Sequence, residues 1–142
     1  HRTDRQKQAV SFDHGRRAVT RARLLDRFGT PPAAALLACR LETGRTQQIR
    51  VHLSYAGFGL IGDPVYGGAR RLPARAVGQP GVAAAAGFPR QALHAAELGF
   101  VHPLTGQSLR FEAPLPADME ALIAARDGLY CPLMRVSAQL LA

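Results

Sequence analysis

An α+β domain is the class this sequence predicts, on three observations. Residues Gln8 to Leu25 and Leu98 to Phe111 alternate apolar and polar side chains around turn-forming residues, as hairpins do. Residues Thr46 to Gly57 and the segment after Pro116 repeat apolar positions at helical spacing. The chain has 142 residues, enough for one domain, because a chain of about 150 residues buries roughly two-thirds of its unfolded surface.

In the first hairpin, AVSF leads to the turn Asp13-His14-Gly15 and then to RRAVTRARLL. Strand alternation puts Ala18, Thr20, Ala22 and Leu24 on one face and Arg17, Val19, Arg21 and Arg23 on the other. Three like charges on one face repel unless water or an anion covers them. A solvated outer face and an RNA-facing stripe explain them equally well. The next stretch, Ala33 to Glu42, is ambiguous. Alanine and leucine favour a helix, yet Leu37, Cys39 and Leu41 alternate with Ala38, Arg40 and Glu42 as a half-buried strand would.

Thr46 is placed to cap a helix running to Gly57. Ile49, Leu53 and Ala56 form its inward stripe, with Gln47, Arg50 and Ser54 on another face. Leu72 to Gln91, rich in proline, glycine and alanine without period, predicts a long surface loop. In the second hairpin Leu98 and Phe100 face Leu109 and Phe111 across the turn His102 to Gly106. Pro116 opens a last helix, with Asp118 and Glu120 early and Arg126 late, an order that suits the helix dipole. Met119, Leu122 and Ile123 are its core stripe.

Composition narrows the function. Apolar content of 47% with 20% charged residues excludes a disordered tail protein. No run approaches the ~18 to 20 apolar residues of a membrane span, so no membrane partner is expected, and HRTDRQKQ is not a signal peptide. Cys39 and Cys131 are too few for a disulfide scaffold and lack zinc or redox spacing, which fits the cytoplasm. The formal charge of +8 and pI near 11.0 point to a nucleic-acid partner. Every basic residue but Lys7 is arginine, whose planar fork binds phosphate bidentately and stacks on bases. A genome biased towards alanine and arginine codons would give the same composition.

The chemistry concentrates between Leu41 and Gly68, LETGRTQQIRVHLSYAGFGLIGDPVYGG. His52, His94 and His102 lack metal-ligand spacing, so no metal is expected. GxSxG and the Walker loop are both absent. Gly62-Asp63-Pro64 and Gly67-Gly68 are read as turn chemistry. The run GRTQQIR says more. A helix start favours anions, and Arg45 and Arg50 add charge there. An arginine in that place can also keep a carboxylate ionised, although two solvated arginines remain an alternative on physics alone.

The run RLETGRTQQIRVH, the GDPVYGG after it, RQALHA and the closing HPLTGQSLRFEAPLPADM together resemble the RluA/RluD-type pseudouridine synthases, in family order and at sensible spacing. The resemblance covers most of the chain, from the opening hairpin to about Arg126. It implies a mixed, largely antiparallel sheet with flanking helices, the C-terminal half of a synthase catalytic domain, over residues 1–127. Residues 128–142 are then a C-terminal extension. It also settles Ala33 to Glu42 as a strand. The implied activity is isomerisation of uridine to pseudouridine in ribosomal or transfer RNA, without metal or organic cofactor. In that family an aspartate of an HRLD motif attacks the uridine or its sugar, and the base detaches, turns and rejoins through carbon five. The arginine of the QIRVH run, here Arg50, ion-pairs with that aspartate and is the catalytic candidate. Arg45, Thr46, Gln47, Gln48, His52, Arg70, Arg71, Arg21 and Arg23 are the RNA-binding candidates.

Two departures stand out. Gln47 occupies a position where the family usually has histidine. The HRLD motif is missing: His1-Arg2-Thr3-Asp4 runs into RQKQAVSF, which aligns with the hairpin before the second half of the domain. Asp4 is thus expected near RNA rather than as the nucleophile. The family's base-stacking tyrosine has no counterpart among Tyr55, Tyr66 and Tyr130. The expectation is a fragment, inactive without the N-terminal half of the same catalytic domain. The rival expectations are a non-catalytic RNA-binding module and a nucleotide- or phosphate-binding protein.

Overall fold

The computed structural model describes residues 7–68 and 71–125. Asp4, Arg70, Arg126, Tyr130, Cys131 and the extension 128–142 lie outside them. The architecture is α+β, with two antiparallel hairpins and three helices among the described residues.

Strand β1 (Thr20–Phe28) pairs antiparallel with β2 (Ala34–Leu41). The expected first hairpin is therefore displaced. Residues 8–19 form no strand, and β1 runs three residues past Leu25 to turn at Gly29 (φ +95°). The turn closes through the Ala33 amide donating to the Phe28 carbonyl at 2.8 Å. AVSF has turn residues after it, but its Phe12 stays largely exposed with an edge contact to Tyr55, whereas β2 has a core beneath it. The ambiguous stretch is thus a strand: Cys39 is buried with Ile49 and Leu53, and Leu37 and Leu41 pack against them. Burial on a sheet face overrides the helix propensity of alanine and leucine. The same burial shields the Cys39 thiol and raises its pKa.

Pairing fixes the faces. Arg21 lies opposite Arg40 and Arg23 opposite Ala38, while Ala22 lies opposite Cys39 and Leu24 opposite Leu37. Directly opposed residues share a face, so Arg21, Arg23 and Arg40 project from the side away from the core. Glu42 takes Arg21 in a close ion pair and approaches Arg17 at 3.9 Å.

Helix α1 (Gln48–Tyr55) lies on the core side. Ile49 and Leu53 face inward as expected, Val51 joins them in burial, and Ala56 is exposed. The helix ends as predicted at Gly57, whose φ of +85° lets the Phe58 amide donate to the Leu53 carbonyl at 2.8 Å. Its start differs from expectation. Thr46 is not the cap; Gln47 is, in the left-handed region at φ +58°, with no side-chain capping bond.

The expected loop from Leu72 to Gln91 contains helix α2 (Ala74–Ala86), broken at Gly78 (φ +71°, ψ 166°). Glycine permits that break, and Pro80 then sits in the first turn of the second helical piece, where its missing amide costs little. Strands β3 (Glu97–Val101) and β4 (Ser108–Glu112) pair with Leu98 opposite Phe111 and Phe100 opposite Leu109, the expected register. Phe100 and Phe111 stack with centroids 6.0 Å apart. Helix α3 (Ala117–Ala124) starts at Pro116, with Met119 buried and Leu122 and Ile123 half-buried. Arg90 pins it by a bidentate pair to Asp118 at 2.7 and 2.8 Å. That guanidinium holds the Asp118 carboxyl below its ordinary range.

An open apolar cavity of about 1340 Å³ lies between these elements, lined by Leu37, Leu53, Phe58, Val82, Met119 and Ile123 among others. No helix among the described residues is long and apolar enough to cross a membrane.

Candidate active site

The site is built where the first turns of α1 meet the turn that follows it. Arg50 projects from α1 onto Asp63: Nε donates to Oδ2 at 2.7 Å and Nη2 to Oδ1 at 2.8 Å. The Arg50 side chain is 14% exposed and that of Asp63 fully enclosed. Oδ1 also accepts the backbone amides of Val65 and Tyr66, both at 2.9 Å. The Arg50 hydrogen bond is the main cause that lowers the Asp63 pKa to about 2, against the opposing effect of burial. The same hydrogen bond raises the pKa of Arg50. Among the described residues no acceptor takes Arg50 Nη1.

Tyr66 completes the mount. Its ring centroid lies 5.0 Å from Arg50 Cζ, within cation–π range. Its hydroxyl donates to Gln47 Oε1 at 2.6 Å and accepts the Gln8 amide at 2.7 Å. The turn carrying Asp63 and Tyr66 is packed backbone on backbone. A Cβ on Gly62 would lie 2.0 Å from the Arg90 carbonyl oxygen, and one on Gly67 2.5 Å from that of Asp63. The Ala92 amide donates to the Ile61 carbonyl at 2.8 Å and anchors the turn to the segment before β3.

No protein-family model matches the chain. Among curated proteins, ribosomal large subunit pseudouridine synthase D of Xanthomonas campestris pv. campestris is 50% identical over 125 residues, 88% of this chain and 36% of that protein. The protein of the same name from Zymomonas mobilis is 46% identical over 121 residues, 84% of this chain and 35% of its own. Over these residues the chain is similar to the RluA/RluD-type pseudouridine synthases. An uncharacterized RNA pseudouridine synthase of Bacillus subtilis, YlyB, is 48% identical over 120 residues, 84% of this chain and 34% of that protein. The chain thus spans about a third of the length of the relatives it matches.

The site candidates separate into groups. Arg50 and Gln47 come together, with Asp63 and Tyr66. Arg45 and Thr46 are exposed just before α1, and Arg71 is exposed where it lines the cavity with Tyr66 and Gly67. His52 is half-buried in the last turn of α1. Gln48, another RNA-binding candidate, is turned into the structure. It is 5% exposed, its Oε1 accepts from Thr43 and from the Arg45 amide, and its Nε2 donates to the Val19 carbonyl and Thr20. Its polar atoms are spent tying β1 to the start of α1. Arg21 and Arg23 stand on the sheet face opposite α1 and apart from the Arg50 cluster. Arg70 is outside the described residues. Sequence pattern alone marks Asp63 as a turn residue and misses its place in the site. Its one signal is an aspartate followed by proline, within reach of an arginine one helix earlier.

Proposed function

We propose that this chain is the arginine-bearing part of an RNA pseudouridine synthase, and that Arg50 steadies a nucleophilic carboxylate from the part of the catalytic domain N-terminal to it. The observation that supports this most directly is the Arg50 fork. One edge is closed by Asp63, and Nη1 is left without an acceptor among the described residues. A guanidinium fixed in this way can hold a second carboxylate ionised and oriented. The name shared by the first two relatives favours large-subunit ribosomal RNA as substrate, and an enzyme acting on that RNA would work in the cytoplasm. The apolar cavity is a surface the rest of the catalytic domain would cover, and that part would also supply a donor to the buried Glu97 Oε1, which has no hydrogen-bond partner among the described residues.

The test is co-expression of this chain with the aspartate-bearing portion of the Xanthomonas campestris relative. RNA incubated with the pair is expected to gain pseudouridine, measured by nucleoside mass spectrometry, while each part alone gives none. Binding without turnover by the pair would favour the non-catalytic RNA module.

The same material separates the two arginine groups. Affinity for RNA should fall steeply with salt, because each neutralised phosphate releases counterions. Replacing Arg45 and Arg71 with alanine is expected to flatten the slope of log K against log salt by about one for each phosphate left without its arginine. Replacing Arg23 and Arg40, on the far face, should leave it unchanged. The opposite result would put the RNA on the other side of the sheet.

A further inference from the structure

The Arg50–Asp63 pair has a form that stability alone does not require. A buried ion pair is often no better than apolar packing of the same volume. This one is nonetheless constrained from several sides. Two amides fix the Asp63 carboxylate, Asp63 fixes one edge of the guanidinium, and the Tyr66 ring covers its face. Tyr66 is tethered in turn by Gln47, a non-glycine residue kept at φ +58°. A side chain other than glycine adopts that conformation at a cost, and such strain persists where the surroundings enforce it. The constraints converge on one arginine, and they restrict its direction more than its charge.

We propose that Asp63 and Tyr66 are positioning residues for Arg50: Asp63 clamps the Nε and Nη2 edge, Tyr66, tethered to Gln47, blocks the face, and Nη1 is thereby aimed at the incoming carboxylate. This rests on the proposed role of Arg50 itself. Neither residue touches the reacting atoms. Their contribution is to remove the rotamer freedom of a long side chain before the second carboxylate arrives, so that less is lost when that contact forms.

The assay uses the co-expressed pair, with Asp63→Asn, Tyr66→Phe and Arg50→Ala in this chain. Asp63→Asn is expected to lower kcat by about 100-fold with KM within about two-fold, since misplacement of a group by an ångström can cost that much. It also removes a negative charge from the partner of Arg50, so the acidic limb of the pH–rate profile should move to lower pH. The Arg50 Nε–H resonance should lose its protection from solvent exchange. A merely structural role would reduce the folded fraction and leave kcat per folded molecule unchanged. Tyr66→Phe keeps the ring, loses the tether to Gln47, and is expected to lower kcat several-fold at unchanged KM. It decides the matter if Asp63→Asn does not fold.

The outcomes are distinguishable. If Arg50→Ala leaves turnover intact, the role of Arg50 fails and this inference with it. If Arg50→Ala abolishes turnover while Asp63→Asn and Tyr66→Phe keep the parent kcat and pH profile, the positioning inference alone is overturned.

Discussion

Replacing Arg50 with alanine is expected to destabilise the chain by about 3 kcal/mol or more, because removing one partner of a buried pair strands the other charge. Asp63 is fully enclosed, and its two backbone amide bonds cannot replace the guanidinium. Urea unfolding of parent and variant measures the loss. A second signature lies in acid. The folded-state pKa of Asp63 is about 2, below the roughly 3.9 of an unfolded aspartate. A depressed pKa gives stability that is present above about pH 4 and lost as pH falls towards 2, here on the order of 2 kcal/mol. In Arg50→Ala the main cause of the depression is gone, so this acid-linked loss should flatten. An unaltered acid profile in the variant would mean that the pair is not formed in solution.

Gly62→Ala is the other large effect. Gly62 has φ +70°, and a Cβ there would meet the Arg90 carbonyl oxygen at 2.0 Å. Alanine in the left-handed region costs about 1 kcal/mol or a little more on its own. The overlap adds a forced shift of backbone against backbone, and the sum is expected to reach about 3 to 4 kcal/mol. Gly106→Ala is the control. Gly106 has the same φ of +70° in the β3–β4 turn, with nothing within 4 Å of an added Cβ, so only the conformational part should appear. Equal losses in the two variants would show that the close approach to Arg90 is not real. Because Asp63 follows Gly62 directly, the Gly62 variant should also loosen the Arg50 clamp.

The parts of the fold that are legible in the sequence are those whose pattern is local. Leu98, Phe100, Leu109 and Phe111 straddle a glycine turn, and their register follows from alternation alone. Gly57 stops α1 for a reason visible in one residue. Pro116 and Asp118 open α3 in the same way. The misreadings have a common cause: the deciding partner is distant in sequence. AVSF beside Asp13-His14-Gly15 has the signs of a hairpin, but β1 pairs with β2, and what selects β2 is the Cys39–Ile49–Leu53 cluster. Gly78, Pro80 and Gly81 punctuate α2 so heavily that its alanines read as loop, although one glycine break accommodates the proline. Thr46 has the better capping side chain, yet Gln47 takes the cap while Gln48 bonds back to β1. At the site, Arg50 stands out by residue type and position. Asp63 does not, because nothing local distinguishes a turn aspartate from a buried counter-ion.

The thiol of Cys39 gives the core a built-in stopwatch. Alkylating reagents react with thiolates, and this group is shielded on β2 with its pKa raised by burial. With Cys131 changed to serine it is the sole cysteine in the chain, so its modification rate counts how often β2 and α1 part. The Arg50, Gly62 and Asp63 variants could all be ranked on that clock from micrograms of material.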